Sequence, residues 1–154
     1  RPRNISADHN SPREYDPTWS PDCSYLEFAS LYNGPLSLWR YLMDGSSFRP
    51  IRQESPNLTD EPAISPDGQS LDYTRRSTSA NEIMAGPVME RLNNIQLTTT
   101  LGNSQAAWSP DSKFIVFVSS RDGDREIYVM NPAGGAQTNL TNDPSTDVSP
   151  VWQP

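Results

Sequence analysis

The feature that most constrains this chain is that it repeats itself. Pro17-Thr18-Trp19-Ser20-Pro21-Asp22 recurs as Pro62-Ala63-Ile64-Ser65-Pro66-Asp67 and as Ala106-Ala107-Trp108-Ser109-Pro110-Asp111, and a partial fourth copy reads Pro150-Val151-Trp152-Gln153-Pro154. With Trp19, Ile64, Trp108 and Trp152 as anchors, the spacings are 45, 44 and 44 residues. A fixed period of this size describes one supersecondary unit stacked on copies of itself, because a single unit has too little core to bury its apolar face alone.

Other positions keep the same offset from the anchor. Seven and nine residues on stand Leu26 and Phe28, Leu71 and Tyr73, Ile115 and Phe117, a period of two that puts each pair on one face of a strand. Twenty residues on come Trp39, Met84 and Tyr128, each after an aliphatic residue (Leu38, Ile83, Ile127), and 32 or 33 residues on come Ile51, Leu97 and Leu140. Turn chemistry separates these stretches. In Ser65-Pro66-Asp67-Gly68 proline sets the first central dihedral, aspartate bonds the backbone ahead and glycine accepts a positive φ. Arg121-Asp122-Gly123-Asp124, Asp44-Gly45 and Ala133-Gly134-Gly135 mark further turns.

Each unit therefore holds four short strands, predicted over 16–19, 24–30, 36–42 and 48–52, then 61–64, 70–75, 81–85 and 94–98, then 105–108, 113–119, 125–130 and 136–140. Four strands in about 40 to 45 residues is a β-propeller blade, so the fold class is all-β, with blades of four antiparallel strands. The 154 residues form a single partial propeller. Residues 1–15 read as the outer strand of a preceding blade plus a loop, 16–60 as blade 1, 61–104 as blade 2, 105–147 as blade 3 and 148–154 as the inner strand of a following blade. Asn4-Ile5-Ser6 parallels Asn139-Leu140-Thr141, which carries the first of these assignments. Three blades are half or part of a six-bladed ring, leaving three arrangements open: a fragment of a longer propeller, a short subunit capped by other chains, or two copies paired head to tail.

Composition narrows the functions. With 19 acidic against 12 basic side chains and a net charge of -7, the chain is a poor match for a phosphate backbone, so nucleic acid is not an expected partner. The longest apolar run, Phe114 to Val118, is far below the roughly 20 residues of a membrane span. The single cysteine, Cys23, excludes an internal disulfide, and the single histidine, His9, lies in a polar stretch and reads as a solvated loop residue. No catalytic constellation, zinc spacing or glycine-rich phosphate loop is present, and no cofactor is expected beyond calcium, whose one weak candidate site is Asp122, Asp124 and Glu126. The tryptophans at the anchors are expected to pack between blades rather than to line a ligand site. Recognition is expected on the loops that share one face of the blades, with Asn57, Asp60, Asn103, Asp143 and Asp147 as candidate partner contacts. Pro21, Pro66 and Pro110 with Asp22, Asp67 and Asp111 are expected to be structural repeat residues.

The run from Trp108 to Asn131, WSPDSKFIVFVSSRDGDREIYVMN, followed by Asn139-Leu140-Thr141, resembles the TolB-like (WD-like) propeller repeat, also found in tricorn-type and prolyl-oligopeptidase-type propellers. The earlier copies depart from it. Cys23 replaces the turn glycine, Ile64 replaces the tryptophan, and Ala85-Gly86-Pro87 is expected to interrupt the third strand of blade 2, since proline cannot donate to a ladder. The resemblance implies a non-catalytic, periplasmic or otherwise extracytoplasmic propeller. It would bind protein partners, as TolB-type proteins bind a peptidoglycan-associated lipoprotein, in a scaffold or accessory role within a larger assembly. Two alternatives stay open: the gating propeller of a peptidase whose catalytic domain lies elsewhere, and a glycan or small-ligand module.

Overall fold

The computed structural model describes residues 4–5, 13–52, 57–89, 93–100 and 102–153, and its regular elements are β-strands. Blade 1 is β1 (Glu14–Trp19), β2 (Tyr25–Ser30), β3 (Ser37–Leu42) and β4 (Phe48–Arg52). Blade 2 is β5 (Leu58–Ile64), β6 (Ser70–Arg76), β7 (Asn81–Pro87) and β8 (Ile95–Gln96), and blade 3 is β9 (Asn103–Trp108), β10 (Ile115–Ser119), β11 (Glu126–Met130) and β12 (Thr138–Asn139). Each blade is an antiparallel meander in chain order, and the inner strands β1, β5 and β9 lie side by side.

The expected break in the third strand of blade 2 does not occur. β7 pairs with β6 without a register shift from Asn81↔Arg76 to Pro87↔Ser70. Pro87 is tolerated because it ends the strand, where no further ladder bond is asked of its nitrogen. The outer strand β4 keeps its predicted limits, while β8 and β12 are shorter than predicted, two residues each. Short outer strands leave little unpaired edge for another chain to extend.

The Ser-Pro-Asp repeat closes the inner hairpin of every blade in the same way. The serine Oγ accepts the backbone N–H six residues past the anchor (Ser20 from Tyr25, Ser65 from Ser70, Ser109 from Phe114, 2.9 to 3.0 Å). The aspartate Oδ1 accepts the N–H two residues ahead, at 3.0 Å for Asp22 and Asp67 and 3.2 Å for Asp111. The Ser65 and Ser109 hydroxyls, each donating to the aspartate two residues on, and then the backbone bonds hold the Asp67 and Asp111 carboxyls below the usual range, and the Ser24 backbone bond holds Asp22 at about 2. The turn then needs a positive φ, supplied by Gly68 at 71° but also by Cys23 and Ser112 at 58°. Cys23 is exposed and free, as a turn residue should be.

The core lies in the seams between blades. Ala29, Leu38 and Ile51 of blade 1 meet Leu71, Tyr73, Met84 and Val88 of blade 2, with Ile64 packed against them. One repeat on, Ile83, Ala85 and Leu97 of blade 2 meet Ile115, Phe117, Tyr128 and Met130 of blade 3, with Trp108 packed against them. Ile64 and Trp108, the two anchors that follow a described blade, thus lie against the seams. Trp19, which follows none, is 52% exposed. A third cluster, Leu26, Phe28, Trp39 and Tyr41, forms the other face of blade 1 and is joined by Ile5, Tyr32 and Phe48.

The first seam also holds a buried ion pair. Arg40 Nε donates to Glu27 Oε1 at 2.9 Å, and its NH2 group bonds both Glu27 Oε1 and the Val88 carbonyl of blade 2, the latter at 2.9 Å. Both side chains are nearly sealed from solvent, at 3% and 0% exposure. Blade 3 places Val116 and Val129 at the two equivalent positions, again directly opposite each other. Arg40→Ala is expected to cost about 3–5 kcal/mol, because it strands a buried charge, whereas the double change Glu27→Val with Arg40→Val is expected to be close to neutral. Urea unfolding of the two variants measures the difference.

Candidate functional site

Each inner strand carries the same irregularity three residues before its anchor. The register shifts between Tyr15 and Thr18 in β1, between Asp60 and Ala63 in β5, and opposite Phe117 in β9. Two inner-strand residues thus oppose one partner residue, which is a β-bulge and re-aims the side chain at that point. The first bulged residue has a positive φ in each case: Asp16 and Glu61 at 50°, Gln105 at 56°, and Ser149 at 59° in the partial fourth copy. None is glycine, so the conformation is held against its intrinsic cost by what the side chain gains.

What it gains is a bond to the next repeat. The Asp16 carboxylate accepts from the backbone of Glu61, Glu61 Oε2 accepts from Gln105 N at 2.9 Å, and Gln105 Oε1 accepts from Ser149 N at 2.8 Å. The bulges thereby form a chain of side-chain acceptors running from repeat to repeat along the inner strands, the side that a closed propeller turns to its central channel. Trp152 completes the placement of the fourth segment, donating Nε1–H to the Ala107 carbonyl at 3.1 Å and stacking on Phe114 at 6.4 Å. The four segments 16–18, 61–64, 105–108 and 149–151 enclose an open cavity of about 540 Å³.

One end of this wall is strongly polar. Glu61 also accepts from Thr74 Oγ1 at 2.7 Å and Arg76 NH2 at 2.9 Å, while Arg76 Nε donates to Asp60 Oδ2 at 2.6 Å. Burial pushes the Asp60 carboxyl up to about 6 even though Arg76 pulls the other way. Burial, then the neighbouring Glu61, raises Asp16 as well. A lone guanidinium thus serves three carboxyls, leaving this part of the wall acidic and able to take up protons in the mildly acid range.

The candidate contacts read from the sequence do not all lie on a loop surface. Asp143 is exposed, while Asn57 and Asp147 are half-buried. Asp60 and Asn103 are corrected: they sit inside β5 and β9, at 7% and 0% exposure. Both are drawn inward by partners, Asp60 by Arg76 and Asn103 by Glu82 Oε2 (3.0 Å) and Arg121 NH2 (3.2 Å). Of the weak calcium candidates, Asp122 accepts from Tyr128 and Glu126 from Thr141 and the Asp143 backbone, so their oxygens turn to separate partners. Among the described residues no three His, Cys, Asp or Glu side chains gather to hold a metal ion. His9 lies outside the described residues. Sequence reasoning missed Asp16, Glu61, Gln105 and Ser149, although their constant offset of three from the anchor was a signal in plain view.

No protein-family model matches the chain. It is 31% identical over 114 residues to the Tol-Pal system protein TolB of Anaeromyxobacter dehalogenans (strain 2CP-C), covering 71% of this chain and 25% of that protein. It is 32% identical over 138 residues to the TolB homolog of Chlorobium chlorochromatii (strain CaD3), covering 85% of this chain and 29% of that one. The structure of TolB from Acinetobacter baumannii superimposes with a TM-score of 0.76 at 23% identity, over 87% of this chain and 33% of that chain. The chain is a TolB-like β-propeller. It spans about a quarter of the length of the curated TolB relatives it matches. A puromycin-hydrolyzing peptidase of Mycobacterium tuberculosis shares the fold, with a TM-score of 0.67 at 17% identity over 83% of this chain and 23% of that one. Among the described residues no helix of this TolB-like chain is long and apolar enough to cross a membrane.

Two measurements test the wall. Glu61→Ala removes the acceptor of three donors and is expected to lower stability by about 1–3 kcal/mol, whereas Glu61→Gln can keep its oxygen toward Thr74 and Gln105 N, losing only the bond to Arg76, and is expected to fall between wild type and Glu61→Ala in thermal unfolding. Asp60, easier to protonate folded than unfolded, adds stability at low pH and loses it as pH rises from its usual 3.8 toward 6. The stability of the wild type relative to Asp60→Asn is therefore expected to fall across that window.

Proposed function

We propose that this chain is part of a non-catalytic, protein-binding propeller that serves as a scaffold or accessory subunit of an extracytoplasmic assembly of the Tol-Pal type. The observation that carries the reading is the likeness to TolB across 71% to 85% of the chain, in the blades whose bulged inner strands form the channel wall. An acidic wall end built on rigid strands favours a partner segment bearing lysine or arginine and backbone N–H donors. The exposed Asp143 and the half-buried Asn57 and Asp147 are proposed as its flanking contacts, with specificity set on the loops and position on the strands.

The same reading extends to the ring. Ile5 packs on blade 1 as Ile51 and Leu97 pack on blades 2 and 3, which supports reading it as part of the outer edge of a preceding blade. Residues 148–153 take the inner-strand place of a following one. Leu140 is 55% exposed where Ile51 and Leu97 are 4% and 5%, because no neighbour covers it. These faces are seats for adjoining blades of the same repeat type. The second reading, the propeller of a peptidase gating a hydrolase domain elsewhere, is favoured by the fold shared with the puromycin-hydrolyzing peptidase.

Calorimetric titration with the soluble domain of a peptidoglycan-associated lipoprotein tests the first reading. Saturable binding weakened about ten-fold or more by Glu61→Ala with Asp143→Ala is expected. No binding, together with peptide hydrolysis by the native species that contains this chain, establishes the second.

A further inference from the structure

The residue eight past the anchor is Glu27 in blade 1, Asp72 in blade 2 and Val116 in blade 3, and it faces across the ladder to Arg40, Ala85 and Val129 respectively. Blade 1 has acid and base, blade 3 has neither, and blade 2 has the acid without the base. Asp72 is 0% exposed, and among the described residues neither of its carboxyl oxygens has a hydrogen-bond partner. Its strand neighbours Leu71 and Tyr73 pack toward blade 1, so alternation turns Asp72 to the other face, where Ile83 and Ala85 meet blade 3.

The opposite wall of that seam holds a second stranded group. The indole Nε1–H of Trp108, which packs against this seam, is buried and also lacks a partner. One repeat on, Trp152 lies against Ala107 of the preceding inner strand. The equivalent carbonyl one repeat back belongs to Ala63, the cross-strand neighbour of Asp72, and Trp108 does not bond it.

Among the described residues no charge is free to answer the acid. From β5 the seam receives Ala63 and, farther along, Glu61, already bonded to Thr74, Arg76 and Gln105. From β6 itself comes Arg76, paired with Asp60 and Glu61. From β7 come Ile83 and Ala85, with Glu82 committed to Thr98 and Asn103. From β9 and β10 come Ala106, Trp108, Ile115 and Phe117, and Arg121 beyond them is bonded to Ser119, Asn103 and Gln137.

We propose that Asp72 is a proton-operated latch on the seam between blades 2 and 3. With the proton on, the carboxyl is neutral and the seam closes over it beside Trp108. When the proton leaves to solvent, an unpaired carboxylate stands between apolar walls, and the seam loosens to admit water. Burial alone raises the Asp72 carboxyl well above the usual 3.8. The sign follows from that direction. The group's contribution to stability is complete below about pH 4 and is lost as pH rises through its folded-state pKa. The seam would then be tightest while the carboxyl holds its proton and would yield as rising pH removes it.

The test is thermal unfolding of the wild type and Asp72→Asn between pH 4 and 9, with NMR titration of the Asp72 side-chain carboxyl in the wild-type chain. The melting temperature of Asp72→Asn relative to wild type is expected to rise steadily with pH. The carboxyl carbon should titrate well above a free aspartate, and Trp108 emission, assigned by difference from Trp108→Phe, should move to longer wavelength over the same range. If Asp72→Asn does not fold, Asp72→Val, the residue blade 3 itself uses here, takes its place. A constant offset between the two melting curves, or a carboxyl that titrates near 4, overturns the latch.

Discussion

A four-stranded antiparallel blade has two apolar faces and only about 40 residues, so it cannot bury both by folding on itself. Everything else in this structure follows from the need to cover those faces with other blades. Alternation along β2 and β3, β6 and β7, and β10 and β11 sends successive side chains to opposite seams. The second blade, covered on both sides, accordingly holds the wholly buried Leu71, Tyr73 and Ile83. The first and third show what happens without a neighbour, in the exposure of Trp19 and Leu140.

Seam packing fixes how close the blades come but not their register along one another. The bulges do that. A short acceptor side chain at a strained backbone position reaches the N–H of the next repeat, and the geometry recurs whether the acceptor is aspartate, glutamate or glutamine. Because the backbone demands only an acceptor, charge at this position is free to vary, and in this chain it runs from acidic at blades 1 and 2 to neutral beyond. The channel wall therefore has a polarity that the backbone alone does not impose, and the acidic end is where a partner's cationic groups would gain most. The bonds that link the blades and the surface proposed for a partner use the same side chains.

The seams are built on one backbone with three chemistries. The first is clasped by Glu27 and Arg40, the second encloses Asp72 without a base, and the corresponding place in blade 3 is filled by valines. Packing and register are common to all three blades, so their shapes agree, but a buried charge or its absence changes how firmly each seam responds to pH.

The anchor spacing, the period-two pairs and the Ser-Pro-Asp turns were enough, without coordinates, to establish three four-stranded blades, because strand alternation and turn dihedrals are local properties that each segment carries by itself. The strand limits at Glu14–Trp19, Tyr25–Ser30 and Asn103–Trp108 lie within two residues of that reading. The end of β7 escaped it, since whether a proline costs a ladder bond depends on where the partner strand stops. The channel wall escaped it too. Asp16, Glu61 and Gln105 belong to three segments 44 or 45 residues apart, and Asp60 and Asn103 read as polar loop residues. Only the stacking of blades brings an acceptor in one repeat to an N–H in the next, or seals Asp72, whose partner within its own blade is Ala85, away from water. Sequence sets what each strand is; which groups meet across a seam is decided by the neighbour, and that is a property of the tertiary fold.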